Sequence, residues 1–317
     1  MTFEFDIIRR YFTRENSAVL GVGDDAALVE VTPGHQLAVS TDMLVSGRHF
    51  FADADPFKLG HKSLAVNLSD MAAMGAAPRW ALLSLALPGA NERWLERFST
   101  GFFALADEYK VALIGGDTTK GPLNICVTIM GETKPGEALR RDGAKAEDEI
   151  WVSGLLGDAA LGLAALQNFL SLQPEELKQC ELALHAPRPQ VALGLALRGI
   201  ANSAIDVSDG LLADLGHILE RANVGAEIHF PRLPVSKIMQ AQLPNPIAQQ
   251  CLLAGGDDYQ LCFTAPADLH AQIVAAGTKA KVAVTSIGRI KSTNGLIVLD
   301  ADNHPMKIHS KGFDHFA

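Results

Sequence analysis

The most informative stretch of the chain is VNLSDMAAMG, residues Val66–Gly75, which places one carboxylate in an apolar segment with a helical pattern. Asp70 lies among small and apolar residues, and no lysine or arginine stands within one helical turn of it. A charge in such surroundings is costly unless a partner of opposite charge compensates it. Near the C-terminal end of a helix the dipole also disfavours an anion. We therefore expect a metal ion beside Asp70.

Five further segments share one feature, an aspartate next to glycine, serine or threonine. They are Gly23–Asp25, Ser40–Asp42, Gly115–Thr119, Asp206–Gly210 and Gly255–Asp258. Oxygen ligands on tightly turned backbone suit Mg²⁺ or Ca²⁺ and do not suit zinc. One such segment alone is more often an Asx-turn or a helix N-cap. Because the chain has six of them in all, the pattern favours a shared metal site.

The composition limits the classes of protein to which the chain can belong. Its 317 residues have a net charge of −9 and a hydrophobic content of 48%, which predicts two domains or one large one and no nucleic-acid partner. The four cysteines form no CxxC pair, so we expect reduced thiols and a cytoplasmic location. The N-terminus lacks the features of a signal peptide. No apolar run reaches the length of a membrane span, so we expect no membrane partner.

Helical and strand patterns occur in both halves and predict an α/β (α+β) protein. In the first half we predict a helix over 3–12, a strand over Gln36–Thr41 that delivers Asp42 at its end, and about four strands in total. Asp55 followed by Pro56 predicts the start of a helix that continues to about Gly75. The polar segment 134–149 predicts a domain boundary. We assign residues 1–140 to an N-terminal domain and 141–317 to a C-terminal α/β domain.

A carboxylate cluster of this kind suits phosphoryl transfer, in which Mg²⁺ ions neutralise the charge on the transferred group. Hydrolysis of a phosphoester uses the same kind of cluster. Lys120 and Arg141 lie near acidic segments, where they are suited to nucleotide phosphates, and this favours transfer. Ordinary solvated charge is an equally good interpretation of these two cations on sequence alone.

Taken together, the motifs resemble the thiamine-monophosphate kinase family, within the aminoimidazole ribonucleotide synthetase-like superfamily. The segments that carry the resemblance are Gly21–Ala27, Ser40–Val45, Asn67–Gly75, Gly115–Thr119 and Ile205–Leu211. The resemblance implies ATP-dependent, Mg²⁺-assisted phosphorylation of thiamine monophosphate to thiamine diphosphate, the final step of thiamine diphosphate biosynthesis. It also implies a homodimer in which the mixed sheets of two N-terminal domains form a barrel, and a C-terminal domain that completes the active site.

The resemblance further implies roles for individual residues. Several Mg²⁺ ions are held by acidic and hydroxyl residues, of which Asp25, Asp42 and Asp70 are catalytic through the metal. The full set of implied metal ligands is Asp25, Ser40, Thr41, Asp42, Asp70, Asp117, Asp206 and Asp209. The implied ATP-binding residues are Gly116, Asp117, Arg141 and Ser208. The implied residues for the thiamine phosphate are His49, Asp257 and Phe313.

The reaction implied by the resemblance needs no catalytic base. The nucleophile is a phosphate oxygen, and a phosphate monoester has a second pKa of about 6, so it is largely dianionic near neutral pH. The obstacle is the approach of two polyanions, which Mg²⁺ ions held by acidic residues would relieve. We therefore expect direct in-line transfer with no phosphoenzyme.

Two departures from the family pattern and three alternatives remain. Residues 186–190 lack the paired arginines often seen around the prolines of the family. The family usually has Glu where this chain has Asp257, which is one methylene shorter. Another ATP-using member of the superfamily is one alternative, although the first cysteine, Cys126, is too late for the reactive N-terminal cysteine of selenophosphate synthetase, and the C-terminal cysteine of the carbamoyl dehydratase is absent. A Mg²⁺-dependent phosphohydrolase is the second alternative. A non-enzymatic metal-binding module is the third, although the chain lacks an EF-hand pattern.

Overall fold

The computed structural model describes residues 4–14, 19–308 and 312. The chain divides into two units, each with its own sheet. The N-terminal unit contains the residues up to 71 and residues 76–136, and the C-terminal unit contains residues 72–75 and those from 137 onward. Helices and strands occur in both, which confirms the predicted α/β class. None of the described helices is long and apolar enough to cross a membrane.

The first part of the chain builds a four-stranded mixed sheet in the order β1-β4-β2-β3. Strand β4 pairs antiparallel with β1 and β2, whereas β2 and β3 are parallel. The predicted helix over 3–12 is confirmed for its described residues as α1 followed by a π-helical turn over Ile8–Phe12. The elements are α1 (Glu4–Ile7), β1 (Gln36–Val45), α2 (Pro56–Ala73), β2 (Ala77–Leu87), α3 (Glu92–Tyr109), β3 (Ala112–Lys120) and β4 (Asn124–Thr133).

Helix α2 begins as the sequence predicts and packs closely against α3. The Asp55 carboxylate accepts the Lys58 N–H at 3.1 Å, as an N-cap residue does. Side chains at Gly60 in α2 and Gly101 in α3 would each overlap backbone of the other helix, so both glycines permit the close approach. These contacts lie in the first turns of α2, and its last turn contains Asp70 and no basic residue.

Strand β1 is longer than predicted, and this changes the place of Asp42. The strand continues to Val45, so Asp42 lies inside the strand, and the prediction that it stands at the strand's end is wrong. The strand extends because all of its residues up to Val45 pair with β4. Since successive side chains of a strand alternate between faces, Ser40 and Asp42 lie on one face and Thr41 on the other.

The face of β1 opposite Ser40 is rich in exposed apolar residues, and we call it the open face. Leu37, Val39 and Met43 are exposed there by 39%, 58% and 56%. Strand β1 is also the edge of its sheet. Thr41 lies in the same row of side chains, so a predicted metal ligand falls on this surface.

The C-terminal unit contains a six-stranded mixed sheet in the order β10-β7-β9-β5-β8-β6. Its core is apolar, with Ile150, Leu215 and Phe263 fully buried. The predicted mixture of helices and strands in this half is confirmed, although local sequence patterns gave no indication of β6, β7, α8 and α9. The elements are β5 (Glu149–Ser153), α4 (Asp158–Leu166), α5 (Pro174–His185), α6 (Val191–Ala196), β6 (Ser203–Asp206), α7 (Leu211–Ala222), β7 (Gly225–His229), α8 (Lys237–Gln242), α9 (Pro246–Ala254), β8 (Leu261–Ala265), α10 (His270–Ala280), β9 (Val284–Lys291) and β10 (Gly295–Leu299).

Candidate active site

Two of the predicted metal ligands are in direct contact in the N-terminal unit. The Ser40 hydroxyl donates a hydrogen bond to Asp70 Oδ2 at 2.5 Å. Strand β1 positions Ser40 and helix α2 positions Asp70, so both side chains are held by regular elements. Asp42 stands two residues further along the same strand face, about 7 Å from Ser40. These oxygen donors are partly accessible to solvent.

Thr41 and Asp117 lie on the open face, away from the Ser40–Asp70 pair. The Thr41 hydroxyl donates to the Val127 carbonyl at 3.1 Å and lies 3.0 Å from the Thr128 hydroxyl. Asp117 is exposed in β3 and pairs in register with Ser84 of β2. The sheet therefore places the side chains of Ser40 and Asp42 on one face and those of Thr41 and Asp117 on the other.

Gly116, predicted to contact ATP, has a structural reason to be glycine. Its φ is +145°, and a Cβ there would overlap the backbone of Leu83 in the neighbouring strand β2. Any larger residue would push β3 away from β2. A role in nucleotide binding would be additional to this packing role.

Asp25 and His49 occupy turns of the N-terminal unit. Asp25 is exposed at the tip of a loop that backbone hydrogen bonds close between Leu20 and Leu28, at 3.2 and 2.9 Å. The Nδ1 atom of His49 accepts the Val45 N–H at 3.0 Å. In the neutral ring the proton is therefore on Nε2. This bond gives His49 a role in ending β1, whether or not it also contacts a substrate.

In the C-terminal unit, backbone hydrogen bonds join two loops that carry predicted site residues. We call residues 206–210 and 255–260 the loop pair. Asp257 N–H donates to the Ser208 carbonyl at 2.9 Å, and Tyr259 N–H donates to the Val207 carbonyl at 2.8 Å. A Cβ at Gly256 would overlap the Ser208 carbonyl oxygen. The structure therefore brings Ser208, predicted to bind ATP, into backbone contact with Asp257, predicted to bind the thiamine phosphate.

The loop pair also contains the predicted metal ligands Asp206 and Asp209. Asp206 ends strand β6 and is 5% exposed, and Asp209 is more accessible. Phe313, the third predicted contact of the thiamine phosphate, lies outside the described residues. A Cβ at its neighbour Gly312 would overlap Ala213 and the Asp209 carbonyl oxygen.

Asp214 was missed by the sequence analysis and is central to this loop pair. It lies in the first turn of α7, is 2% exposed, and its Oδ2 accepts the N–H groups of Ser208, Asp209 and Gly210 at 2.9, 3.0 and 3.1 Å. Burial, together with the negative charges of Asp206 and Asp209, raises the pKa of Asp214 to about 7. An acidic residue in the first turn of a helix, just after an Asp-Gly turn, was the available signal.

Two residues hold the other loop of the pair: Tyr259, which the sequence analysis missed, and Asp258, which it placed in an acidic segment without a structural role. The Tyr259 hydroxyl donates to Asp257 Oδ1 at 3.1 Å, and both residues have left-handed backbone, with φ of +48° and +70°. Asp258 accepts the Gly157 N–H through both oxygens, at 2.9 and 2.8 Å, at the N-terminus of α4. Burial raises the pKa of Asp258 well above its ordinary value. No sequence pattern predicts the hydrogen bond from Tyr259 to Asp257.

Arg141 stands at the opposite end of strand β6 from Asp206. It is exposed in the short 3₁₀ turn Arg141–Gly143. Arg140, beside it, accepts the Ala204 N–H through its carbonyl at 3.3 Å, near the start of β6. Four strand residues span about 10 Å, so Arg141 and Asp206 belong to different ends of that strand.

The donor atoms of both acidic groups fit Mg²⁺. Ser40, Asp42 and Asp70 in the N-terminal unit, and Asp206 and Asp209 in the C-terminal unit, offer oxygen ligands alone. At the loop pair, burial first and then the charges of Asp206 and Asp209 raise the pKa of Asp214.

A separate cluster of Asp300, Asp302 and His304 is explained as a turn. Asp300 Oδ1 accepts the N–H groups of Asp302 and His304 at 2.9 and 2.8 Å. Such hydrogen bonds are what an Asx-turn provides, so this cluster needs no metal.

Comparison with known proteins gives a consistent assignment over the whole chain. Residues 23–133 match the N-terminal domain of the AIR synthase related protein family, and residues 145–300 match its C-terminal domain. The chain is 45% identical to the thiamine-monophosphate kinase of Salmonella typhimurium over 99% of this chain and 98% of that protein. It is 34% identical to the thiamine-monophosphate kinase of Bacillus subtilis over 99% of both.

Solved structures show the same likeness. A crystal structure of thiamine-monophosphate kinase from Stenotrophomonas maltophilia is 47% identical, with a TM-score of 0.86, over 96% of this chain and 97% of that one. AaThiL in complex with AMPPCP and TMP is 33% identical, with a TM-score of 0.77, over 99% of this chain and 97% of that one. The hydrogenase maturation protein HypE of E. coli, at 20% identity and a TM-score of 0.78 over 98% of this chain and 97% of that one, shares the fold.

Proposed function

The chain belongs to the thiamine-monophosphate kinase family, and on that premise we propose that it transfers the terminal phosphoryl group of ATP to thiamine monophosphate. A phosphate oxygen of thiamine monophosphate forms a bond to the γ-phosphorus, the bond from that phosphorus to the β,γ-bridging oxygen breaks, and ADP leaves. The products are thiamine diphosphate and ADP.

The observation that carries the proposal is the backbone bond between Ser208 and Asp257. The resemblance implies that Ser208 binds the nucleotide and that Asp257 binds the thiamine phosphate. A kinase must hold two phosphorylated substrates next to each other, because correct relative placement supplies much of its rate enhancement. The backbone hydrogen bond between these two residues would keep the two substrates next to each other. A hydrolase has no second phosphorylated substrate to position.

We assign the metal-binding role to the acidic and hydroxyl residues that the sequence indicated. Mg²⁺ held by these residues would supply positive charge that offsets the negative charge of the phosphates. Ser40 orients the Asp70 carboxylate through its hydrogen bond. The complete set proposed to hold Mg²⁺ is Asp25, Ser40, Thr41, Asp42, Asp70, Asp117, Asp206 and Asp209.

The remaining assignments concern the two substrates. Gly116, Asp117, Arg141 and Ser208 are proposed to contact ATP, and His49, Asp257 and Phe313 the thiamine phosphate. The Tyr259 hydroxyl donates a hydrogen bond to Asp257. This bond orients the Asp257 carboxylate, which is one methylene shorter than the Glu usual in the family. The acceptor phosphate is already largely dianionic near neutral pH, so the proposal includes no catalytic base and no phosphoenzyme.

A homodimer is part of the proposal. The open face of β1 exposes Leu37, Val39 and Met43 at the edge of a sheet. Exposed apolar residues on an edge strand favour association with a second sheet. Sedimentation analysis should give twice the chain mass, and Val39→Asp should shift the population toward the monomer. A wild-type monomer at micromolar concentration would contradict this part.

Two further assignments from the sequence are kept as proposals. Residues 1–140 form the N-terminal domain that binds metal and ATP, and residues 141–317 form the C-terminal α/β domain. A cytoplasmic location is proposed from the cysteines, which are free thiols in the structure.

Product analysis tests the proposed reaction. The protein is incubated with ATP, Mg²⁺ and either thiamine monophosphate or thiamine, and the products are separated and quantified. We expect thiamine diphosphate and ADP in equal amounts, from the monophosphate only. ADP without thiamine diphosphate would contradict the kinase assignment and favour hydrolysis or another acceptor.

A further inference from the structure

Asp214 is a buried acid to which the proposed reaction gives no chemical task. A single carboxylate oxygen accepts hydrogen bonds from three successive backbone N–H groups, those of Ser208, Asp209 and Gly210. The side chain is 2% exposed. A buried carboxylate that accepts three such bonds strongly constrains the donors, because breaking them would leave an unpaired charge or unpaired N–H groups.

The bonds to Asp214 also decide what the loop can offer a ligand. Successive N–H groups at the start of a helix can bind an anion such as phosphate. Here the three N–H groups are occupied by a side chain of the same helix, α7. A ligand of this segment therefore meets the side chains of Ser208 and Asp209 and not these three N–H groups.

The loop held by Asp214 is connected to the residue assigned to the second substrate. The Ser208 carbonyl accepts the Asp257 N–H at 2.9 Å. Gly210 has a φ of +119°, and a Cβ there would overlap the backbone of Ala254. A shift of the 208–210 segment would therefore disturb Asp257 as well.

We propose that Asp214 is a positioning residue, whose buried oxygen holds the 208–210 segment, and through it Asp257, in the arrangement that binds both substrates. This inference rests on the proposed function for the roles of Ser208 and Asp257. Asp214 acts here as a hydrogen-bond acceptor, so the amide oxygen of asparagine should replace it, whereas alanine should not.

The test compares Asp214→Ala, Asp214→Asn and a matched control. Asp148 is a suitable control because it is also buried, at 4% exposure, and accepts the Lys145 N–H and the Asn202 side chain near the start of β6. We expect Asp214→Ala to raise the KM for ATP about tenfold, and that for thiamine monophosphate about threefold. Asp214→Asn should stay within about threefold of the wild type, and Asp148→Ala should lower stability with both KM values unchanged.

Hydrogen exchange of the 208–210 amides gives a readout that does not depend on catalysis. These amides should be protected in the wild type and in Asp214→Asn, and exchange rapidly in Asp214→Ala. Protected amides in Asp214→Ala, KM values like those of Asp148→Ala, or equal damage by asparagine and alanine would each overturn the proposal. If Asp214→Ala does not fold, Asp214→Glu displaces the same acceptor by one methylene and takes its place. A wild type that forms no thiamine diphosphate would contradict the proposed function, while the exchange data would still decide the role of Asp214.

Discussion

Two buried carboxylates, one in each unit, make similar hydrogen bonds but have opposite electrostatic surroundings. Glu132 in β4 accepts the Thr32 N–H at 2.7 Å and the Thr32 hydroxyl at 2.9 Å, with Arg79 Nε at 3.6 Å. Burial acts to raise the pKa of Glu132, but these bonds and the Arg79 charge lower it below its ordinary value. Asp214 accepts three N–H groups, yet burial and two neighbouring aspartates raise its pKa to about 7.

We interpret this difference as the one between a structural carboxylate and a carboxylate of the proposed site. At Glu132 the chain supplies its own cation, so the charge is compensated within the fold. At the loop pair the neighbours Asp206 and Asp209 add charge of the same sign. Groups of like charge that lower stability are typical of sites that bind a cation or catalyse a reaction. The predictions that follow test whether acidic residues of the second kind serve the reaction and those of the first kind do not.

The largest effect is expected at Asp70. We predict that Asp70→Asn lowers kcat/KM by a factor of about 100 or more, because a ligand charge for Mg²⁺ is lost. The matched control is Asp107→Asn, which removes an exposed carboxylate paired with Arg14 in the same unit. Steady-state kinetics and thermal unfolding decide the matter. Equal activity of the two variants would show that Asp70 is not a functional acid.

The next effect concerns the backbone contact between the two loops of the loop pair. Gly256→Ala places a Cβ against the Ser208 carbonyl oxygen, which should lower the free energy of unfolding by about 2 kcal/mol and raise the KM values of both substrates. Gly216→Ala is the control, because a Cβ there meets nothing within 4 Å and lies in helix α7. Urea titration and kinetics measure both variants, and a Gly256→Ala enzyme with wild-type KM values would contradict a rigid loop pair.

A smaller effect is expected for Ser40→Ala. The variant removes the 2.5 Å bond to Asp70 but keeps the carboxylate. A hydrogen bond to a charged group contributes about 1.5–3 kcal/mol, so we expect roughly a tenfold loss of kcat/KM and a higher Mg²⁺ requirement. Thr100→Ala serves as the control, because it removes an exposed hydroxyl of α3 that donates to the Glu96 carbonyl at 2.6 Å. An unchanged Mg²⁺ dependence would mean that Ser40 does not orient Asp70.

The smallest effect concerns the pH dependence of stability at Glu132. Because its folded pKa lies below the ordinary 4.5, its stabilising contribution is complete above that value and is lost as the pH falls through the folded pKa. Wild type should therefore be more stable than Glu132→Gln by about 1 kcal/mol at pH 7, with a smaller difference at pH 3. Activity at pH 7 should not change beyond what the stability difference explains. If the stability difference between the wild type and Glu132→Gln grew toward low pH, the pKa of Glu132 would be raised and not lowered.

The sequence predicted those features that depend on local pattern. The acidic segments, the N-cap at Asp55 and the first-half strands could be found because apolar periodicity and turn residues are local signals. The extension of β1 past Asp42 could not, because it depends on pairing with β4. Tyr259 and Asp214 were missed for a related reason. Their contacts depend on how the two loops of the pair fold, which local sequence patterns do not show.

Counting bound metal ions tests the central distinction most directly. Electron paramagnetic resonance can measure Mn²⁺ binding in the presence of a non-hydrolysable ATP analogue, for the wild type, Asp70→Asn, Asp209→Asn and Glu132→Gln. We predict that Asp70→Asn and Asp209→Asn each lose at least one bound Mn²⁺, whereas Glu132→Gln binds as many ions as the wild type. Unchanged Mn²⁺ binding in both aspartate variants would contradict the assignment of these carboxylates to metal.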